Sequence, residues 1–120
     1  MGMFGGGHKS RPQERRLAQL LEERSKVLRA QIIQVAGHVH NYERYNYGGV
    51  HYIVSGGGGS PAHGVKRDPK DLYAQEGPTF GLCRFTLDHG QLKFEMWRAE
   101  VLPDRVVWSV QDSFELKPKP

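Results

Sequence analysis

Two short apolar runs, with a polar stretch between them, constrain the fold of this chain most strongly. The first run, residues 31–36, is rich in β-branched residues and nearly continuous in its apolar character, which predicts a strand buried on both faces of a covered sheet. The second run, Val50–Ser55, also predicts a strand and leads into four glycines, residues 56–59. Open α/β sheets bind ligands at the C-terminal ends of their strands, so the segment after the first run is the candidate site.

That segment contains Gly37-His38-Val39-His40. In an extended backbone, residues i and i+2 point to the same side, and Gly37 permits a sharp turn directly before the two histidines. Two neutral imidazoles that face one point suit zinc, manganese or iron. A His-x-His pair also arises by chance, and two solvent-facing histidines at a strand end need no metal, so the spacing alone leaves both interpretations open.

A helix is predicted before the first strand. Ser10 and Gln13 have the spacing of a capping box, and the helix is expected over residues 11–26. Apolar residues at helical spacing predict one stripe that faces the core. These residues are Leu17, Leu20, Leu21, Val27 and Leu28.

Residues 41–49 are interpreted as a connection between the two strands. Its tyrosines, Tyr42, Tyr45 and Tyr47, either wall a pocket or pack at the edge of the domain, and we favour the second interpretation. Arg44 either binds a phosphate oxygen or pairs with a carboxylate, Glu43 or another, and here we favour a structural role.

Residues 60–78 are polar and rich in proline, which predicts an irregular insertion on the surface with a helical turn near residues 71–74. His63 and Asp68 are candidate metal ligands in it, although a solvated loop is the favoured interpretation.

The C-terminal part of the sequence predicts three further strands, over residues 80–87, 91–100 and 105–116. Asp88-His89-Gly90 is a hairpin signal between the first two of them, and Pro103-Asp104 marks the second turn.

Length and composition indicate one small globular domain over residues 1–120, with a flexible lead-in at 1–9 and a tail at 117–120. Of the 120 residues, 38% are hydrophobic and 25% charged. The net charge is +4, and a solvated helix surface is favoured over a nucleic-acid interface for the basic residues concentrated near the start of the chain. These residues are Lys9, Arg11, Arg15, Arg16, Arg24, Lys26 and Arg29. The single cysteine excludes an internal disulfide. No apolar run has membrane-spanning length, no signal peptide is recognised, and the compartment stays open.

The candidate segment also resembles a known family. Residues 37–44, followed by residues 49–59, resemble the final conserved block of calcineurin-like metallophosphoesterases, in their purple-acid-phosphatase-like branch. In that block a Gly-His-x-His is often followed by Asn-Tyr-Glu-Arg, a strand and a glycine-rich loop. The resemblance is strong over residues 31–59 and weaker in the C-terminal half, where Asp112-Ser113-Phe114 is similar to the family's last strand.

The resemblance implies an α/β fold. This chain would form part of a four-layer α/β/β/α sandwich, with one main helix followed by about five strands. It also implies a dinuclear site with manganese, zinc or iron, in which a bridging hydroxide attacks the phosphorus of a phosphate ester. By resemblance, His38 and His40 each bind one metal, and Asn41 or Glu43 would orient them.

The family builds its site from earlier motifs as well: an Asp-x-His, a Gly-Asp and a Gly-Asn-His. This sequence has no aspartate before Asp68. We therefore expect the C-terminal part of a phosphoesterase domain, with weak metal binding of its own, that associates with the missing N-terminal part or with itself. An inactive remnant of such an enzyme is the alternative. A basic nucleic-acid-binding module is more distant, because no binding motif is recognised.

Overall fold

The computed structural model describes residues 12–59, 61, 64, 67–75, 77 and 80–120. The predicted lead-in, the Ser10 cap and His63 lie outside the described residues. The described part is mixed α/β, with one helix and two sheets of three strands each. Its elements are α1 Pro12–Val27, β1 Ile32–Ala36, β2 Tyr42–Tyr47, β3 Val50–Ser55, β4 Phe80–Asp88, β5 Gln91–Val101 and β6 Val106–Leu116.

The predicted helix and the five predicted strands are confirmed, and each boundary agrees to within one residue. The interpretation of residues 41–49 as a connection is wrong, because they contain the six-residue strand β2. Tyrosine favours strands, and β2 alternates tyrosine with polar residues over part of its length. Gly48 and Gly49 follow it with φ angles of 55° and 80°, which suits a tight two-residue hairpin turn into β3.

The first sheet has the order β1-β3-β2, with β1 parallel and β2 antiparallel to β3. The second sheet, β4-β5-β6, is antiparallel throughout. Its first turn is confirmed at His89 and Gly90, which have φ angles of 49° and 75°. The second turn is confirmed around Pro103, where the amide of Leu102 donates to the carbonyl of Arg105 at 2.8 Å.

The elements stack in three layers. Ala18 and Leu21 of α1 contact one face of the first sheet, at the cluster of Tyr45, Val50 and Tyr52. The second sheet covers the opposite face, and the core between the sheets includes Tyr42, Ile53, Tyr73, Phe94 and Met96. The family's four-layer sandwich stays a prediction, since the described elements form one helical layer and two sheets.

The prediction that the apolar stripe of α1 faces the core is mostly wrong. Leu17, Leu20, Val27 and Leu28 are 42–73% exposed, and Leu21 alone of the five joins the core. A three-stranded sheet is narrow, so a single helix on it buries only one line of side chains.

The prediction that both faces of β1 are buried is also wrong. Val35 is 48% exposed. The reason is that β1 is an edge strand, paired only with β3 among the described strands.

The segment 67–75 is irregular, as predicted, but the helical turn near residues 71–74 is absent from it. Two backbone groups of Arg44 hold this segment against β2. Its amide donates to the Asp71 carboxylate at 3.1 Å, and its carbonyl accepts from the amide of Leu72 at 2.8 Å. Tyr73 is therefore carried into the core, where it is 4% exposed.

The predicted tail at 117–120 is tied to the fold. The amide of Lys119 donates to the carbonyl of Arg29 at 2.7 Å, and the Gln31 side chain donates to the carbonyl of Lys117 at 2.9 Å. Separately, no helix within the described residues has the length and apolarity needed to cross a membrane.

Candidate functional site

Residues 37–41, here called the histidine turn, follow the C-terminal end of β1, which is where the sequence placed them. The backbone is bent there rather than extended. The amide of Val39 donates to the carbonyl of Gly37 at 3.0 Å, and the amide of Asn41 donates to the carbonyl of Val39 at 2.7 Å. The assumption of an extended His-x-His is therefore wrong, and the bend determines where each histidine lies.

Val39 anchors this turn. Its side chain is fully buried against Val54. His38 is exposed and His40 half-buried, so the two histidines flank the buried valine and stay close to the surface. A small ligand from solvent can therefore approach both positions.

The residue that makes the sharp bend is His38, with a φ of 75°, whereas the sequence predicted that Gly37 would make it. The left-handed conformation costs an ordinary residue about 1 kcal/mol or more, because its Cβ approaches the carbonyl oxygen. Such strained residues cluster at active sites and ligand-binding positions, which makes His38 a candidate functional residue.

The ring of His40 contacts the backbone of the chain after β3. Its Nδ1 lies 3.1 Å from the carbonyl oxygen of Pro61. When Nδ1–H donates to that oxygen, the ring's lone pair is on Nε2. A backbone carbonyl is a common partner for the second nitrogen of a metal-binding histidine, since it fixes both tautomer and ring orientation.

The first glycine of the loop after β3 packs against the histidine turn. A Cβ on Gly56 would lie 1.9 Å from the carbonyl oxygen of Val39, and the Gly56 amide donates to the carbonyl of Asn41 at 3.0 Å. The lack of a side chain at Gly56 therefore lets the two backbone segments approach each other closely. Gly58 and Gly59 have open space around them.

Asn41, predicted to orient a metal ligand, is fully buried at the end of the turn. Its side-chain oxygen accepts from the amide of Tyr42 at 2.7 Å and from Arg67 at 3.0 Å. Its side-chain nitrogen donates to the carbonyl of Gly77 at 3.0 Å. These bonds fasten the turn to β2 and to the 67–75 segment.

Glu43, the other candidate for an orienting role, is 1% exposed. Its carboxylate accepts a hydrogen bond of 2.8 Å from the hydroxyl of Tyr45. Burial and this bond to the Glu43 carboxylate raise the pKa of Tyr45 far above its ordinary range. The orienting roles of Asn41 and Glu43 toward the histidines stay predictions.

The tyrosines were expected at the domain edge, and for two of them this is wrong. Tyr42 and Tyr45 are 2% and 0% exposed and belong to the cores on opposite faces of the first sheet. The structural role of Arg44 is confirmed, and its partner is Asp112. Local sequence patterns around Arg44 could not identify Asp112 as its partner, because the two residues are 68 positions apart in the chain.

The histidines are not part of a larger group of candidate ligands in the described part of the chain. That part contains no cluster of three or more His, Cys, Asp or Glu side chains able to hold a metal. Asp68, a candidate ligand in the sequence, accepts from the amide of Lys70 at 2.8 Å and stabilises a turn. Structural zinc sites normally use four protein ligands and catalytic ones three.

Comparison of the chain with protein-family models, with curated proteins and with solved structures yields no match.

Proposed function

We propose that this chain is the C-terminal segment of a metal-dependent phosphoesterase, in which His38 and His40 are ligands of a dinuclear site. The observation that carries the proposal is the histidine turn, which follows parallel strand β1 and holds His38 at a φ of 75°. Two solvated histidines at a strand end need neither a strained backbone nor a buried anchor between them. Both features suit a ligand pair, because they hold the imidazoles in position before the metal arrives.

The surroundings of the turn support this role. Gly56 packs on the turn through backbone contacts, and the side chain of Asn41 fastens the end of the turn to the amide of Tyr42. The contact of His40 Nδ1 with the Pro61 carbonyl favours Nε2 as the metal-binding nitrogen. Held in this way, the ring of His40 would bind an ion without first losing much rotational freedom.

When bound, two metal ions supply a hydroxide nucleophile at neutral pH and neutralise charge on the phosphoryl oxygens. The contribution of this chain is to hold ions through His38 and His40 at a fixed backbone position. The bridging carboxylate and the remaining ligands would come from an upstream part of the same domain, as the resemblance implies.

The alternative, an inactive remnant, is favoured by one observation: the described residues form no group of three or more candidate ligands. The enzyme segment should bind manganese or zinc weakly on its own, and the remnant weakly or not at all. Both versions lead us to expect little hydrolysis of an aryl phosphate by this chain alone. They differ in what happens when the upstream segment is supplied.

Metal binding tests the site directly. We would titrate the chain with Mn²⁺ and with Zn²⁺, following Mn²⁺ by electron paramagnetic resonance and Zn²⁺ by calorimetry. His38→Ala and His40→Ala should each weaken binding about tenfold or more. His89→Ala is the matched control, because His89 lies in a hairpin turn with its side chain 95% exposed. Equal affinity in all four proteins would refute the site.

Hydrolysis separates the enzyme from the remnant. An upstream segment carrying Asp-x-His, Gly-Asp and Gly-Asn-His motifs, added in trans or fused, should bring metal-dependent hydrolysis of an aryl phosphate. His38→Ala or His40→Ala should then abolish it. Absence of turnover with a folded complex would favour the remnant. Robust turnover by the isolated chain, lost in both variants, would show that it builds a complete site.

A further inference from the structure

The N-terminal half of β6 pairs with β5 along one side, and its side chains are exposed to solvent. Residues 106–110, here called the β6 edge, form part of the last strand of the order β4-β5-β6. All five residues are exposed. The large side chains among them are Val106 at 48%, Val107 at 39%, Trp108 at 49% and Val110 at 40%. No described strand pairs with this edge on the side away from β5.

The β6 edge lacks the features that normally protect such a strand. Natural proteins protect open edges with charged residues, proline or a bulge. Residues 106–110, Val-Val-Trp-Ser-Val, include neither charge nor proline. The register shift of β6 against β5 lies beyond them, opposite Met96 and Trp97. The backbone groups of this edge are therefore ready to accept another strand.

We propose that a second copy of this chain pairs with the β6 edge, antiparallel, about a twofold axis through Trp108. In this register Trp108 faces its own counterpart, Val106 faces the second copy's Val110, and Val107 faces the second copy's Ser109. An antiparallel pair of identical strands is self-complementary, since each hydrogen bond is repeated by the axis. The two sheets would join into one of six strands.

The β6 edge carries no charge, which favours a second copy of this chain over a charged partner such as nucleic acid. The first charged residue before the edge, Arg105, would face neutral Gln111, so the paired segment contains no like-charged contact. One step further, Asp104 would approach Asp112. Asp104, however, lies in the turn before β6, and Asp112 is already paired with Arg44.

The side chains of the paired edge would continue an apolar patch. Trp108 lines a cavity of about 240 Å³ with Leu82, Arg84 and Trp97 on the second sheet. Val106 and Val110 lie two residues from Trp108 on either side, so they share its face of the strand. Across the axis, two such patches would become continuous. Tryptophan and arginine are the residue types that most often dominate binding energy at protein interfaces.

Charges introduced at the axis test the register. By sedimentation equilibrium, the wild-type chain should be a dimer. Trp108→Lys and Trp108→Glu should each raise its dissociation constant about tenfold or more, because like charges then face each other and the aromatic contact is lost. An equimolar mixture of the two variants should recover dimer, because opposite charges then face each other. Leu87→Lys is the matched control, since Leu87 is 74% exposed on β4, the opposite edge.

A monomeric wild-type chain, or one that forms only polydisperse aggregates, would overturn the proposal. So would a dimer that survives Trp108→Lys, or a mixture that stays monomeric. Cross-linking gives an independent readout. With Cys83→Ser to remove the native thiol, Ser109→Cys, which keeps Trp108 and lies one residue from the axis, should be joined rapidly by a short bis-maleimide, and Leu87→Cys should not. Equal rates at the two positions would also overturn the interface. Metal titration of the same samples reports separately on His38 and His40.

Discussion

Arg44 of β2 and Asp112 of β6 form a bidentate ion pair that joins the two sheets. Nε of Arg44 lies 2.6 Å from Oδ2 of Asp112, and Nη2 lies 3.1 Å from Oδ1. The hydroxyl of Tyr42 donates to the same Oδ2 at 2.8 Å. Burial, followed by the charge of Asp112, raises the pKa of Tyr42 well above its ordinary range. The Arg44 guanidinium also lies over the ring of Phe114, 5.1 Å from its centre.

Removal of Asp112 should therefore be strongly destabilising. Asp112→Ala leaves the largely buried Arg44 without its counter-charge, and we expect a loss of about 3 kcal/mol in the free energy of unfolding. Urea denaturation measures it. Arg105→Ala is the control, because its pair with Asp104 is 62% and 72% exposed and should change stability by about 0.5 kcal/mol or less. Similar losses in both variants would argue against the ion pair as a link between sheets.

Gly56 should tolerate no side chain. In Gly56→Ala the new Cβ meets the Val39 carbonyl, so the histidine turn must move, and we expect a loss of about 1–3 kcal/mol in stability. Metal affinity should fall as well, because the turn carries both histidines. Gly58→Ala is the control, since its Cβ would meet nothing within 4 Å. If both alanine variants unfold alike in urea, the contact with Val39 is unimportant.

The left-handed backbone of His38 should make the chain less stable than it would be with glycine at this position. His38→Gly removes the strain of the left-handed backbone and should raise the free energy of unfolding by about 1 kcal/mol. The same variant should weaken Mn²⁺ binding. His89→Gly is a matched comparison at a φ of 49°, and it should stabilise the chain without changing metal affinity. A His38→Gly protein that is less stable than wild type would contradict the strain argument.

His51 should make the stability of the chain sensitive to acid. Burial first, and then the charges of Arg44 and Lys119, lower the pKa of His51, whose ring stacks on Phe114 at 5.3 Å. Below a pH of about 6.5, His51 binds a proton more readily in the unfolded chain than in the folded chain. The free energy of unfolding is therefore highest above this pH and falls as the pH drops below it.

The measurement is urea denaturation between pH 7.5 and pH 5. His51→Phe preserves the stacked ring and removes the proton, so its stability should depend less on pH than that of wild type by up to about 1.4 kcal/mol per pH unit. Parallel pH profiles for wild type and His51→Phe would assign the acid sensitivity to other groups.

Local patterns in the sequence determined α1, five of the six strands and the hairpin at His89 and Gly90. Helix spacing, strand propensity and turn residues act within a few positions along the chain, so a short window contains the necessary information. The same local information located the histidine turn directly after β1. Local signals for β2 were present but were overlooked: its tyrosines favour a strand, and Gly48-Gly49 suits a two-residue hairpin turn into β3.

Tertiary structure alone decided how the candidate site is built. The bend at His38, the packing of Gly56 on Val39 and the Pro61 carbonyl beside His40 all depend on chain segments that meet only after folding. The choice of Asp112 as partner of Arg44, and the burial of Tyr73 from a polar insertion, depend on sheet packing in the same way. Neither spacing nor propensity contains such contacts, because burial and electrostatics act on distances in space and not along the sequence.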